Sequence, residues 1–372
     1  MRIVHVTSGL DRAAAGVGAV VMSLSAEQGL IGHEVRVFGL ASKAWTDGDQ
    51  DRWEGAQPSA FAVRGIPKSF GYAPELAAEL TRFDPDVVHL HGLWMYPAFA
   101  VLRWHRMTGK PYIYSTHGML SRVALGFSPI KKRIARLAFQ DAALGQAAVL
   151  HATAEAEAEE IRSFGLRNPV SVVPLGIKPA VVPPVTPEQA KRVLTIGRIH
   201  PVKNLATLIE AWARLECKFP HWTLEIVGPD EGGHLAELQA MATRLEVRQL
   251  NFRPAVFGWE RDKCMAGADL FVLPTKSENF ALTVAESLMM ETPVIATRGA
   301  PWPGLVRERC GWWIEQGVDP LVDALNAAMS LTDEQRSEMG RRGRAWMLRD
   351  YTWRSIADRM LAIYQAATRR SC

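Results

Sequence analysis

Apolar residues in this chain fall in short unbroken runs, each followed by a longer stretch with helical spacing. The first half carries "IVHV" (3–6), "EVRVF" (34–38), "DVVHLH" (86–91), "YIYST" (112–116), "AVLHAT" (148–153) and "VSVVPL" (170–175). After the Pro-rich stretch "KPAVVPPVTP" (178–187) the pattern restarts with "RVLTIG" (192–197), "TLEIVG" (223–228), "NFRPAV" (251–256), "DLFVLP" (269–274) and "PVIAT" (293–297). Runs that are apolar throughout, instead of at alternate positions, belong to strands covered on both faces, and strands alternating with helices form parallel sheets. The pattern predicts an α/β protein of two doubly wound, Rossmann-like domains facing a cleft, an N-terminal one over 1–177 and a C-terminal one over 186–352. In the last segment, residues 353–372, Trp353, Ile356, Met360, Ile363 and Tyr364 share one helical face, which predicts a helix docking on a domain, the N-terminal one in this assignment.

Length and composition agree with two cores. The 372 residues exceed what one core usually organises, and 48% are apolar. Lys and Arg total 43 against 39 Asp and Glu, a net charge of +4, too mild an excess for a duplex nucleic acid partner. Cys217, Cys264, Cys310 and Cys372 have no paired spacing, which reads as reduced thiols and not as a disulfide framework or zinc site. The opening "MRIVHVTSGL" has no charged segment ahead of a long apolar one, and no run is long enough to span a bilayer, so a cytoplasmic location is expected.

In doubly wound sheets, ligands bind beyond the carboxyl ends of the strands. Those ends carry the unusual residues here. "SGLDRAAAGVGAVV" after the first run predicts a flexible turn into a helix whose N-terminal amides face an anion. His89 and His91 close the third run, His117 follows the fourth, and "GRIHPVKN" follows the first run of the second half. In "TKSENFALTVAESLMMETPVIAT" (275–297), Glu278 and Glu286 stand eight positions apart. On a helix starting near Ala281, Leu282, Ala285, Leu288 and Met289 face the core, and Glu286 lies between Leu282 and Met290, away from Thr283 and Ser287. An enclosed carboxylate needs donors, and a pair of ligand hydroxyls would serve; a partly solvated boundary is the alternative. Eight helical residues rise about 12 Å, too far for the paired carboxylates of a glycosidase, so the two glutamates have separate tasks. Arg198 and Lys203, with Asn204 as N-cap of the following helix, suit a diphosphate; simple solvated cations are the alternative.

Other chemistries compete with this reading. Asp47 with Asp49, or Asp84 with Asp86, would be the carboxylates of a metal-dependent reaction. His89, His91 and His117 could form a three-histidine zinc site, though no carboxylate accompanies them. Neither is preferred, and no metal site is expected. A dehydrogenase using NAD requires a third glycine that "GVGAVV" lacks. A non-catalytic sugar-binding protein remains a rival. Trp94, Tyr96, Trp302 and Trp313 read as core before they read as sugar-stacking groups. Residues 130–144, "IKKRIARLAFQDAAL", place Ile130, Ile134, Leu137 and Leu144 on one face and Lys132, Arg133 and Arg136 on the other. That face either rests on anionic lipid, making the protein peripheral on the inner face of the membrane, or packs on the N-terminal sheet.

The stretches "HLHGLWMYP" (89–97), "STHGMLSRVAL" (115–125), "HATAEAEAEEIR" (151–162), "LTIGRIHPVKNLATLIEAW" (194–212), "IVGPDEGG" (226–233) and "ADLFVLPTKSENFALTVAESL" (268–288) together resemble the retaining glycosyltransferases of GT-B-fold family 4, in the bacterial branch that builds cell-surface polysaccharides. The resemblance implies a metal-independent transfer of a hexose or related sugar from a nucleotide-sugar, UDP- or GDP-linked, to a hydroxyl of a saccharide or lipid-linked acceptor, with no further cofactor. It implies that Glu286 binds the ribose hydroxyls, that Glu278 lies near the transferred sugar, and that Arg198 and Lys203 hold the diphosphate. It also implies that the amides of Phe280, Ala281 and Leu282 face sugar and phosphates, that Gly16 and Gly18 form a glycine-rich first loop, and that His117 stands at the reaction centre. Ala281 and Glu291 replace glycines common in the family. A positive φ at Glu291 would cost about 1 kcal/mol relative to Gly.

Overall fold

The structure, a computed structural model, describes residues 1–11, 15–53, 55, 57–184 and 191–370. It divides into two compact units, Met1–Gly176 with Trp353–Cys372, and Ile177–Thr352. The Pro-rich stretch, as far as it is described, belongs to the second unit, where Arg344 Nη2 donates to the Ala180 carbonyl at 2.8 Å. Residues 185–187 of that stretch lie outside the described residues.

The first unit holds β1 (Arg2–Thr7), β2 (Glu34–Leu40), β3 (Ser59–Phe61), β4 (Val87–His91), β5 (Tyr112–Ser115), β6 (Val149–Ala152) and β7 (Val170–Val172), in the order β3-β2-β1-β4-β5-β6-β7. The second holds β8 (Lys191–Ile196), β9 (Trp222–Val227), β10 (Leu250–Arg253), β11 (Leu270–Leu273), β12 (Val294–Thr297) and β13 (Gly311–Ile314), in the order β10-β9-β8-β11-β12-β13. Every pairing in both sheets is parallel. Pro254 and Pro174 follow the shortened β10 and β7, since proline has no N–H to give a ladder. The edge strands β3 and β13 are not among the predicted runs. β3 is three residues long, and "GWWI" of β13 is only partly buried and lacks a Val/Ile run.

Each unit begins with a strand that ends up between its second strand and a later one: β1 between β2 and β4, and β8 between β9 and β11. Chain direction across the sheet reverses there, so the loops after β1 and β4, and after β8 and β11, diverge and leave a crevice.

One face of the first sheet is apolar. Val4, Val6, Val88, Leu90, Tyr112, Tyr114, Leu150 and Ala152 belong to one buried core with residues of the helices Pro74–Phe83, Tyr96–Thr108 and Asp141–Gly145. Alternation along the strands sends His5, His89, His91, Ser115 and His151 to the other face, all buried. The helices Ala15–Leu30 and Trp353–Arg370 pack against each other, and each supplies a polar partner to these histidines. Trp353 lies over Gly176, where a Cβ would come within 2.4 Å of the indole.

In the second unit a Cβ on Gly228 would stand 1.8 Å from the Gly197 carbonyl oxygen. The loop that carries Arg198 therefore depends on glycine at 228. Gly228→Ala is expected to cost about 1–3 kcal/mol through forced displacement of that backbone. It should appear as a lower urea midpoint at unchanged slope, and an unshifted midpoint would mean that the loop yields freely.

Candidate active site

The loops after β8 and β11 are tied together by backbone. Lys276 N and Thr275 Oγ1 both donate to the Val202 carbonyl, at 2.9 and 3.1 Å, and Asn204 Nδ2 donates to the Pro274 carbonyl at 3.2 Å. Glu278 N donates to the Gly299 carbonyl at 2.8 Å. This bracing brings Lys203, from the turn Pro201–Lys203, against Glu278, and the two side chains form an ion pair only 17% and 16% exposed. Asn204 occupies the N-cap position of the helix Leu205–Ala213, but in a left-handed conformation. Its side chain makes no capping bond; its Oδ1 accepts instead from Thr207 Oγ1 at 2.9 Å.

Arg198 does not share that carboxylate. Its Nη1 donates to both oxygens of Glu231, at 3.0 and 2.7 Å, and its side chain is more than half exposed. The two cations expected to act as a pair are thus each held by their own carboxylate.

Glu286 sits on the helix Leu282–Met289. The donors that an enclosed carboxylate needs are supplied here by a protein group. Arg261, from the helix Gly258–Ala266, donates from Nη1 to Oε1 at 2.8 Å and from Nη2 to Oε2. Burial raises the pKa of the Glu286 carboxyl, and the Arg261 guanidinium opposes that rise. Nothing in the sequence singled out Arg261; it is one charge among several in "WERDKCM", and only the packing of two helices reveals its target. Ser287, placed on the polar side by the helical wheel, is buried and donates to the Thr292 carbonyl at 3.3 Å.

Ala281 precedes this helix with φ 64° and no side-chain cap, and Glu291 follows it, also at φ 64°. Both positions where glycine was expected therefore adopt the conformation that favours glycine. The Phe280 carbonyl is held by Trp302 Nε1 at 2.6 Å, so Trp302, fully buried, supports the loop from below. Phe280 and Ala281 are buried and Leu282 is partly buried at the helix N-terminus. Of the other candidate aromatic residues, Tyr96 is buried core, and Trp313 stacks under Arg298.

In the first unit His117 follows β5 with φ 49° and is partly buried. Its Nε2 lies 3.1 Å from His91 Nδ1, and His5 Nδ1 lies 3.0 Å from His91 Nε2. Among the described residues, the trio with ligand atoms within 4.8 Å of one another is His5, His89 and His91, not the set with His117 that spacing suggested. Gly16 and Gly18 fall in the first turn of the helix Ala15–Leu30 instead of a loop, and residues 12–14 of the expected turn lie outside the described residues.

Burial lowers the pKa of His5 from 6.5 to about 4. It lowers that of His117 to about 4 against the opposing charge of Glu157, and also depresses those of His89, His91 and His151. Burial alone would raise the carboxyl of Glu157, yet it is held low because Thr153 N and Oγ1, Thr116 Oγ1 and Gly118 N all donate to it, at 2.6–2.8 Å, beside His117. The unfolded histidines gain a proton near pH 6.5 while the folded ones stay neutral to lower pH. Stability is therefore full above pH 6.5 and falls as pH drops toward 4, by about 3 kcal/mol for His5 alone. Urea titrations at about pH 7.5 and about pH 5 should show the first unit losing its midpoint at the lower pH, and a flat profile would contradict neutral burial.

Two family models match the chain: a glycosyl transferase 4-like domain over residues 15–176 and glycosyl transferases group 1 over 181–346. A D-inositol 3-phosphate glycosyltransferase of Segniliparus rotundus is 27% identical over 302 residues, covering 76% of this chain and 67% of that protein. Among solved structures, the sucrose-phosphate synthase of Thermosynechococcus elongatus superposes with a TM-score of 0.78 at 17% identity, with all of both chains covered. Anabaena HepE, in complex with UDP and glucose, gives 0.74 at 17% identity, covering 98% of this chain and 100% of that one. With two doubly wound parallel sheets and models that together span both units, the chain belongs to the glycosyl transferases group 1 and is a glycosyltransferase of the GT-B fold.

Proposed function

We propose that this glycosyltransferase moves a hexose from a UDP-linked donor to a hydroxyl of a saccharide or lipid-linked acceptor in cell-surface polysaccharide assembly, with retention of configuration and without a metal ion. The observation that carries the reading is the meeting of Lys203 and Glu278 at the reversal of the second sheet, with the uncapped N-terminus of the helix Leu282–Met289 four residues after Glu278. A diphosphate entering there exchanges the Glu278 carboxylate for its own oxygens as the partner of Lys203, and releases Glu278 toward the sugar. Charge collects on the leaving diphosphate as the glycosidic bond loosens, so Lys203, Arg198 and the amides of Phe280, Ala281 and Leu282 stabilise the transition state more than the ground state. The departing phosphate oxygen takes the acceptor proton on the same face. Glu286, paired with Arg261, has lone pairs left for two ribose hydroxyls. The choice of UDP is supported by Anabaena HepE, solved with UDP and glucose.

The absence of a metal requirement is supported by the places of the candidate aspartates. Asp84 and Asp86 lie at the amino end of β4, where Asp84 pairs with Lys110 at 2.6 Å and Asp86 accepts from Arg2 N at 2.8 Å. Asp47 closes the short helix Lys43–Thr46 and Asp49 opens the turn Asp49–Arg52. Loss of Lys203 should matter more than chelation. Lys203→Ala is expected to lower turnover of the nucleotide-sugar by about 100-fold with the product anomer unchanged; a loss below about threefold, under 1 kcal/mol, would remove the phosphate role.

The membrane side of the proposal rests on residues 127–137. Phe127, Ile130, Ile134 and Leu137 are 69%, 76%, 63% and 83% exposed, beside the exposed Lys131, Arg133 and Arg136. The apolar stripe does not pack on the sheet. Leu144, expected on the same face, is buried, because a wider helical turn over Arg136–Gln140 re-aims the chain. No helix among the described residues is long and apolar enough to cross a membrane, so an anchor here would lie in the interface. The protein should sediment with vesicles containing anionic lipid and not with neutral ones, and Ile134→Ser with Leu137→Ser should abolish it; binding indifferent to lipid charge would refute the surface.

A further inference from the structure

The buried histidines of the first unit are links in one directed chain of hydrogen bonds, and its direction can be read from its far end. His151 Nε2 lies 2.7 Å from the Val173 carbonyl oxygen, which can only accept, so Nε2 carries the proton. In a neutral ring that leaves Nδ1 as a lone pair, and Ser115 Oγ, at 2.6 Å, donates to it. Ser115 Oγ then accepts from His89 Nε2–H at 2.6 Å. His89 Nδ1 accepts from the Tyr364 hydroxyl at 2.6 Å, and Tyr364 Oη accepts from Gln28 Nε2 at 3.4 Å.

Gln28 passes the direction on, because its amide has a donor end and an acceptor end. With Nε2 turned to Tyr364, Oε1 faces His5 and accepts from His5 Nε2–H at 2.8 Å. His5 Nδ1 accepts from His91 Nε2–H at 3.0 Å, and His91 Nδ1 accepts from His117 Nε2–H at 3.1 Å. The opposite polarity would set the His151 Nε2 lone pair against the Val173 oxygen, an unpaired contact in a buried site. Burial keeps all five rings neutral at pH 7, as the chain requires.

We propose that this chain locks His117 in its Nε2–H tautomer, so that its Nδ1 lone pair is presented beyond the carboxyl end of β5 as an acceptor for a hydroxyl of the reacting sugars, with His91, His5, Gln28 and Tyr364 as positioning residues. Among the described residues no protein group bonds that Nδ1. The tautomer follows from the hydrogen bonds alone, whereas its use in catalysis rests on the proposed function and on His117 standing at the reaction centre. An Nδ1–H ring would turn a donor to the same hydroxyl and leave the hydroxyl to accept.

The experiment is a long-range 15N–1H correlation on the full chain labelled at histidine. His5, His89, His91, His117 and His151 should each show a pyrrole-like Nε2 and a pyridine-like Nδ1. A pyrrole-like Nδ1 at His117 would overturn the proposal. Tyr364→Phe and Gln28→Met break the chain at groups that do not touch His117. Each should give His117 mixed tautomer signals and lower kcat by about tenfold with the donor KM within about twofold. If these variants leave the His117 signals unchanged, the chain does not set its state and the proposal falls. If they fold poorly, the wild-type spectrum still decides the tautomer. A wild-type spectrum with the expected tautomer, in a protein that transfers no sugar, would sink the proposed function and leave the hydrogen-bond chain standing.

Discussion

An ionised carboxylate withdrawn from water loses roughly several kcal/mol of hydration and must be met by donors, and that requirement shapes both units. Glu157 is met by Thr116, Gly118 and both donors of Thr153, which pins the loop after β5 to the segment after β6 and so fixes where His117 stands. Glu286 is met by Arg261, which fastens the helix Gly258–Ala266 to the helix Leu282–Met289. Glu278 is met by Lys203 across the reversal of the second sheet. Partly buried pairs of this kind add little net stability, because Coulombic gain and desolvation nearly cancel. Their effect is on placement: each prevents a carboxylate from turning outward.

The same site stores backbone strain. Ala281 and Glu291 bracket the Glu286 helix, both with φ 64°, at about 1 kcal/mol each for residues with a Cβ. Their neighbours enforce it. Trp302 holds the Phe280 carbonyl just before Ala281, and the Glu291 carbonyl lies against Gly340, where a Cβ would approach to 1.8 Å. Strain of this size persists where surrounding packing over-determines it. It ends the helix abruptly on both sides, leaving Leu282–Met289 short and without a side-chain cap from Ala281.

How much of this could be read in the chain depends on the range of the interaction. The central strands were legible because burial on both faces demands apolar residues at every position, and "LFVLP" or "VVHLH" has no other use. The edges β3 and β13 were not, since half-buried strands carry no such demand. The positive φ values could be anticipated only as departures from expected glycines. Arg261 was invisible because its pairing depends on how two helices cross, and the helical wheel misjudged Ser287 because it takes account of one helix at a time. Lys203 stood out as a candidate by its place after a strand and Glu278 by its spacing from Glu286; that they hold each other was not legible.

The histidine face shows why the first unit needs a segment from the far end of the chain. A sheet face lined by His5, His89, His91, Ser115 and His151 cannot be covered by apolar side chains alone, since each ring nitrogen left without a partner would cost about 1–3 kcal/mol. The helix Ala15–Leu30 supplies Gln28, and the helix Trp353–Arg370 supplies the Tyr364 hydroxyl, 336 positions away in sequence. The apolar face that predicted docking of the last helix therefore explains only part of why it docks there. Trp353, Ile356 and Met360 provide buried area that any apolar surface would accept, whereas Tyr364 places one hydroxyl where both Gln28 and His89 need it. Apolar burial attaches the helix, and the Tyr364 hydroxyl adds a directional tie to a polar sheet face.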